Sequence, residues 1–254
     1  ITMCELFGAS FSKPVNLKDQ LKAFYAHSVR HPHGWGICYE DNGRHIYKEP
    51  LRACDSTFLQ SILDSLPPQQ QMLAHIRFAT VGEIRPQNCH PFTGTDDSGR
   101  EWTLAHNGTV FTGKFNYQYY KKQSGDTDSE RLFLAFLDDM NEHLRKGILP
   151  ERERFQAVSD FIARTAPRNK LNLIIYDGDL LYVHKNLQNT LYYKRTPLGI
   201  LFSTQPLDPL DWNPFPVAQV IAYRGGKMLY RGERHRGVYV PTLDYITPTD
   251  AMNI

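Results

Sequence analysis

The chain of 254 residues has no long apolar run and no extended run of like charges. A membrane-spanning helix needs about 18 or more consecutive apolar residues, and no stretch approaches that length. The first residues also lack the basic segment and apolar run of a secretory signal. We therefore expect a cytoplasmic protein that does not contact a membrane.

Cysteine is scarce and scattered: Cys4, Cys38, Cys54 and Cys89 include no C-x-x-C pair. This spacing favours reduced thiols and argues against both a disulfide framework and a zinc knuckle. Lys and Arg number 29 against 27 Asp and Glu, a net charge of +2, so no basic arm predicts a nucleic-acid partner. The tyrosine-lysine cluster at 117–122 is interpreted as a solvated surface turn and not as a base-stacking site.

The periodicity predicts more strands than helices. Strands at 34–40 and 45–48 flank Asn42-Gly43, a dipeptide typical of a tight hairpin turn. Residues 72–79 alternate, with His75 and Arg77 on the polar face. Thr127-x-x-Glu130 is a capping box that begins a long helix, and a second helix is predicted at 150–165. Hairpins with helices grouped between them indicate an α+β layered sandwich. We expect one domain over 1–254, with 241–254 as a loose tail.

Four candidate functional features stand out, and each has an ordinary structural explanation. Cys4 alone is more often a small buried hydrophobe, and Asn107-Gly108 a hairpin turn. Arg77 alone would be an ion-paired residue, and Asp128 a carboxylate that stabilises a helix N-terminus. Their joint order is what changes the interpretation.

Five segments occur in one order along the chain: Met3-Cys4, 74–80 (AHIRFAT), 88–91 (NCHP), 106–108 (HNG) and 128–130 (DSE). Together they resemble the class II glutamine amidotransferases. Further similar segments at 34–36 and 202–207 extend the resemblance from Cys4 to about residue 224. The resemblance implies the N-terminal nucleophile hydrolase fold, a four-layer αββα sandwich with antiparallel sheets.

The resemblance also implies a mechanism in which Cys4 is both nucleophile and chain terminus. Its α-amino group, with a pKa near 7.7 to 8.0, would act as base for its own thiol. Attack on the glutamine side chain would release ammonia and leave a γ-glutamyl thioester for water to open. The Asn107 amide and the Gly108 N–H would stabilise the oxyanion.

The same resemblance assigns substrate contacts, and we expect no cofactor or metal. Arg77 would bind the α-carboxylate of glutamine through two parallel hydrogen bonds, and Asp128 would bind the α-ammonium. Thr80 and His90 would support the pocket wall. Histidines 31, 33, 75, 90 and 106 suggest a metal site instead, but no H-E-x-x-H or paired-cysteine pattern accompanies them.

Two departures from the family pattern matter. Ile1-Thr2-Met3 precede Cys4 and look like an expression remnant followed by an initiator methionine. We expect this form to be inactive until Met3 is removed. Phe78 and Val81 replace the family's usual tryptophan and histidine, which leaves room for a larger γ-glutamyl substrate.

Three functions remain open on these residues. The first is a glutaminase that supplies ammonia to a separate synthetase chain. The second is a γ-glutamyl hydrolase acting on a peptide or thiol conjugate. The third is a non-catalytic, glutamine-binding regulatory module, which the presence of all four candidate residues disfavours.

Overall fold

The structure, a computed structural model, describes residues 4–241. Residues 1–3 and all of the predicted loose tail except Pro241 lie outside that range. The described helices are α1 (Lys18–Ala26), α2 (Thr57–Ser65), α3 (Phe115–Gln118), α4 (Asp128–Leu144) and α5 (Glu151–Thr165). The described strands are β1 (Glu5–Val15), β2 (Trp35–Glu40), β3 (Arg44–Glu49), β4 (Gln69–Ile76), β5 (Phe92–Thr95), β6 (Glu101–Thr109), β7 (Lys170–Tyr176), β8 (Leu181–His184), β9 (Tyr192–Thr196), β10 (Gly199–Ser203), β11 (Asn213–Pro214), β12 (Ile221–Arg224) and β13 (Lys227–Arg231).

The described strands form two antiparallel sheets. The first sheet has the order β11-β9-β10-β1-β4-β2-β3, and the second has the order β13-β12-β8-β7-β6-β5. Strand β1 is central in the first sheet, since it pairs with β10 on one side and β4 on the other. Strand β6 lies between β5 and β7 in the second sheet.

Three apolar layers show how the sheets and helices stack. A central layer between the sheets includes Leu6, Leu73, Ile174 and Phe202. An outer layer packs α1 and α2 on the first sheet, and another packs α4 and α5 on the second sheet. The predicted αββα sandwich with antiparallel sheets is therefore confirmed.

Local sequence signals explain the ends of several elements. Ser56 caps α2 by accepting a hydrogen bond from the Leu59 N–H at 2.9 Å. Thr127 caps α4 by accepting from the Glu130 N–H at 3.2 Å, as the capping box predicts. The hairpin between β2 and β3 turns at Asn42 and Gly43, which both have positive φ angles.

Some local expectations differ from the structure. Asn107 and Gly108 lie within β6 and not in a hairpin turn. The cluster at 117–122 is only partly a solvated turn: Tyr117 and Tyr120 are exposed, but Tyr119 is buried and its hydroxyl donates to Asp138. Tyr119 packs into the helical layer of the second sheet, a tertiary contact that a polar local sequence does not reveal.

Candidate active site

Cys4 lies directly before β1, at one end of the central strand of the first sheet. Glu5 pairs with Ile76 of β4, so extending the register by one residue brings Cys4 beside Arg77. The Cys4 Sγ lies 3.3 Å from both the backbone nitrogen and the backbone oxygen of Phe78. The sulfur thus accepts a hydrogen bond from the Phe78 N–H while its own proton is directed at the Phe78 carbonyl.

The thiol of Cys4 is held in its protonated form in this chain. Its pKa is raised from 9.0 to about 11, chiefly because the thiol is buried and to a smaller extent because the Asp128 carboxylate lies close by. The Phe78 N–H and the positive charges of Arg77 and Lys170 act in the opposite direction but do not compensate. A thiol with this pKa needs a base close by before it can act as a nucleophile at neutral pH.

The start of β1 is fixed by polar contacts on both faces of the strand. On one face the buried Glu5 carboxylate lies 2.7 Å from His27 Nδ1 and accepts a hydrogen bond from Gln205 Nε2 at 2.8 Å. The Leu6 N–H donates to the Thr204 hydroxyl at 2.8 Å. These contacts fix the backbone next to Cys4, and no spacing in the sequence predicted them.

Arg77 is buried beneath the loop that follows it. Its Nη1 donates to the Glu83 carbonyl at 2.9 Å, and its Nη2 donates to the carbonyls of Val81 and Gly82 at 3.0 and 3.1 Å. Because a guanidinium has five N–H donors, these three bonds leave capacity for a ligand. The residue organises the 81–83 loop at the edge of the site.

Asn107 reaches the neighbourhood of β1 from the second sheet. It is fully buried, and its Nδ2 lies 3.4 Å from the Thr204 hydroxyl that also receives the Leu6 N–H. Its Oδ1 has no hydrogen-bond partner in the described part of the chain. Thr204 therefore links the predicted amide donor to the strand that follows Cys4.

Gly108 follows Asn107 where two strands approach very closely. A Cβ atom at this position would lie 1.8 Å from the Lys170 carbonyl oxygen and 2.5 Å from His106 Nε2. Only glycine fits such a contact with a neighbouring backbone. The glycine is required by packing, whatever its N–H does in addition.

Asp128 occupies the first turn of α4 and is buried. Its Oδ2 accepts a hydrogen bond from the Val110 N–H at 2.6 Å, and its Oδ1 accepts from the Ser129 N–H at 2.9 Å. The neighbouring Ser129 hydroxyl contacts His106 Nδ1 at 2.9 Å. An ionised carboxylate has about four lone-pair sites, so Asp128 retains acceptor capacity close to Cys4.

The two remaining predicted contacts are placed differently from these five residues. Thr80 is exposed in the loop after Arg77. His90 is buried against His75, with its Nδ1 2.9 Å from His75 Nε2, and His75 Nε2 also lies 3.1 Å from the His106 carbonyl. Burial lowers the pKa of His75 to about 3 and that of His90 well below its usual value.

The histidines of the metal-site alternative do not gather in one place. His75, His90 and His106 form a buried group, whereas the ring of His33 packs on Phe78 and its Nδ1 accepts the Ala79 N–H at 2.9 Å. Among residues 4–241, no group of three or more His, Cys, Asp or Glu side chains is arranged to hold a metal ion.

Comparison with known proteins identifies the family. The family model for class II glutamine amidotransferases matches residues 3–201. The chain belongs to this family, as the ordered segments predicted. An uncharacterised protein of Methanocaldococcus jannaschii is 27% identical over 91% of this chain and 72% of its own length.

Solved structures support the fold. A protein of Pseudomonas aeruginosa described as a predicted glutamine amidotransferase aligns with a TM-score of 0.60 at 22% identity, over 91% of this chain and 96% of that chain. The glutamine phosphoribosylpyrophosphate amidotransferase of B. subtilis aligns with a TM-score of 0.65 at 14% identity, over 92% of this chain and 50% of that chain.

None of the helices described within residues 4–241 has both the length and the apolar character of a membrane span.

Proposed function

We propose that the chain hydrolyses the side-chain amide of glutamine to glutamate and ammonia, with Cys4 as the nucleophile. The observation that carries the proposal is the setting of the Cys4 thiol, next to the charges of Arg77 and Asp128 and connected through Thr204 to Asn107. Family membership supports glutamine as the substrate.

The chain must first lose Met3, which exposes the α-amine of Cys4. This amine is the base that a thiol with a pKa of about 11 requires. The amine takes the thiol proton, and the thiolate attacks the amide carbon of glutamine. The Asn107 Nδ2 and the Gly108 N–H stabilise the oxyanion. Collapse of this intermediate expels ammonia, which leaves with the proton from the amine.

The resulting thioester reacts with water, which gives up a proton to the same amine as it attacks. The second tetrahedral intermediate collapses to glutamate, and the proton returns to the departing sulfur. Arg77 binds the substrate carboxylate with its remaining N–H groups, and Asp128 binds the ammonium with its remaining lone pairs. Thr80 and His90 contribute to the wall of the pocket. The released ammonia serves a separate synthetase chain.

A second candidate, hydrolysis of a γ-glutamyl peptide or thiol conjugate, rests on the edge of the site. Thr80 is exposed, and the smaller Phe78 stands where the family usually has tryptophan. Both features favour space beyond the γ-carbonyl for a group larger than ammonia. The thioester chemistry is the same for both substrates.

The experiment that tests both candidates uses the full chain processed to begin at Cys4, with the free terminus verified by intact mass. Release of glutamate and ammonia from glutamine is measured beside a panel of γ-glutamyl peptides. Cys4→Ala should abolish turnover, whereas Cys54→Ala, which removes an exposed thiol, should leave it unchanged.

Each outcome assigns a function. Cys4-dependent release of ammonia from glutamine supports the glutaminase, and turnover of only the conjugates supports the hydrolase. Tight glutamine binding without turnover would assign the chain to the non-catalytic, regulatory class and overturn both enzyme proposals.

A further inference from the structure

Asn107 has a buried neighbour of the same type across the sheet. Asn172 of β7 pairs directly with Asn107 of β6, and both side chains are fully buried. Ala105 and Ile174, two residues away on each strand, belong to the central layer between the sheets. Because alternate residues share a face, Asn107 and Asn172 both project towards that layer, with Cβ atoms about 5 Å apart.

The two side chains have complementary unpartnered atoms. Within residues 4–241, Asn107 Oδ1 lacks a donor, while Asn172 lacks partners at both Oδ1 and Nδ2. Buried carboxamides are nearly always hydrogen-bonded. A small rotation or one bridging water would join the Asn172 N–H to the Asn107 oxygen.

Thr204 alone does not fix which way the Asn107 amide faces. A hydroxyl can donate or accept, so Thr204 could receive the Asn107 N–H or donate to its oxygen after the amide turns over. In the first orientation the amide nitrogen faces Thr204 and β1, so its second N–H is available to an oxyanion formed at Cys4, whereas in the second orientation the nitrogen faces away from β1. The group beyond Asn107 must therefore select the orientation.

Lys185 favours one of the two orientations of the Asn172 side-chain amide. The pairing of Leu173 with His184, extended by one residue beyond the end of β8, places Lys185 beside Asn172. The Leu171 N–H donates to the side-chain Oδ1 of Asn186 at 2.8 Å, so the two segments still lie side by side there. Lys185 is fully buried, and its Nζ donates to the Leu191 carbonyl at 3.0 Å. Among the described residues, no carboxylate lies within ion-pair distance of it. No hydrogen bond joins Lys185 to Asn172 in the described part of the chain, but an ammonium is only a donor, so its charge beside Asn172 favours the orientation that turns the Asn172 oxygen towards it.

We infer that Asn172, oriented by Lys185, is a positioning residue that holds the Asn107 oxygen and thereby directs the Asn107 N–H at the oxyanion. The inference rests on the proposed function, since it assigns a cause to the orientation of the predicted oxyanion donor. It requires the order Lys185, Asn172, Asn107, with each donor facing the next acceptor.

The test compares Asn172→Asp and Asn172→Leu with the chain processed to begin at Cys4. Aspartate has the shape of asparagine but, when ionised, only accepts, so it draws the Asn107 N–H away from the oxyanion. We expect kcat to fall about 10- to 100-fold for both variants, approaching the loss of an oxyanion donor, with KM within about twofold. Loss confined to kcat indicates an interaction made in the transition state.

The matched control is Ser203→Ala. Ser203 is also fully buried, and its hydroxyl has no hydrogen-bond partner among residues 4–241, but it pairs with Phe7 on the helical face of the first sheet. Its kcat and KM should equal those of the unmodified chain. A rise in KM with unchanged kcat in the Asn172 variants, or kcat values equal to that of the control, would overturn the inference.

A second readout does not depend on turnover. In nitrogen-15 spectra, the Asn107 side-chain resonances should shift in Asn172→Asp and remain in place in Ser203→Ala. If the processed chain turns over neither glutamine nor γ-glutamyl conjugates, the proposed function fails, and these spectra alone decide the role of Asn172. Unshifted Asn107 resonances would refute it. If Asn172→Leu does not fold, Asn172→Asp provides the decision.

Discussion

The sulfur of Cys4 lies 3.3 Å from both the N–H nitrogen and the carbonyl oxygen of Phe78, a residue 74 positions further along the chain. The contact joins the start of β1 to the residue after Arg77. It gives the thiol proton an acceptor and the sulfur a donor, so the neutral thiol is satisfied where it is. Because this arrangement stabilises the neutral thiol, we expect the chain that retains Met3 to be inactive.

The first prediction concerns alkylation of Cys4. A rise in its pKa from 9.0 to about 11 reduces the thiolate fraction about 100-fold at neutral pH. Iodoacetamide should therefore label the exposed Cys54 well before Cys4 in the chain that retains Met3, as measured by peptide mass spectrometry at pH 7.5. Labelling of Cys4 should accelerate at least tenfold when Met3 is absent. Equal labelling of Cys4 and Cys54 before processing would contradict the assignment.

Arg77 provides the second prediction. Lysine keeps the charge but cannot donate to the three carbonyls of the 81–83 loop at once. Hydrogen bonds to a charged group contribute about 1.5 to 3 kcal/mol each, so Arg77→Lys should destabilise the fold by about 2 kcal/mol or more and raise KM for glutamine.

Urea unfolding and amide exchange at residues 79–85 would measure the effect of Arg77→Lys. The control is Arg85→Lys, because Arg85 pairs with Asp126 at a partly exposed position, where solvent screens the ion pair and the expected loss is much smaller than for Arg77→Lys. Equal effects of the two substitutions would show that the loop does not depend on Arg77.

The third prediction concerns acid: as the pH is lowered, the free energy of unfolding should begin to fall at a higher pH than titration of the carboxylates alone would cause. Burial lowers the pKa of His75 and His184 to about 3, and His235 contributes at His184. These histidines are neutral when folded but protonate near pH 6.5 when unfolded. The contribution of these neutral histidines to stability is therefore fully present above about pH 6.5. It is lost progressively as the pH falls from there towards 3.

Each such histidine contributes a slope of about 1.4 kcal/mol per pH unit within that window. Urea unfolding at pH 7.5, 6.0 and 5.0 would show the decline, and His184→Gln should make it shallower. A free energy of unfolding that stays constant between pH 7.5 and 5.0 would contradict the burial of neutral imidazoles.

The sequence predicted those parts of the fold and site that local pattern controls. The cap at Thr127, the turn at Asn42-Gly43 and the alternation around His75 follow from neighbours within a few residues. The short strand β11 did not emerge, because two residues form a strand only when a partner such as β9 is already in place. Thr204 lay in a similar segment but received no role, since its link to Asn107 spans 97 residues.

Asn172 shows the same limit more clearly. It lies inside an apolar stretch of β7, where a single asparagine has no distinctive spacing. Its significance depends on the β6–β7 register and on burial, which are tertiary properties. Motif order therefore identified the family, while the residues that tertiary contacts bring next to Asn107 could be found only from the structure.

The last prediction tests the close approach at Gly108. Gly108→Ala would place a methyl group 1.8 Å from the Lys170 carbonyl oxygen, so β6 and β7 must separate. Overpacking of this kind costs about 1 to 3 kcal/mol or more, and here it also displaces Asn107, so both thermal stability and turnover should fall sharply. Gly99→Ala is the control, because no atom of the described residues lies within 4 Å of its added methyl group. Only its φ of +84° is unfavourable, which costs about 1 to 2 kcal/mol. Thermal melts of the two variants would separate steric from conformational effects. A Gly108→Ala protein as active as Gly99→Ala would show that the β6–β7 contact can relax without moving Asn107, the proposed oxyanion donor.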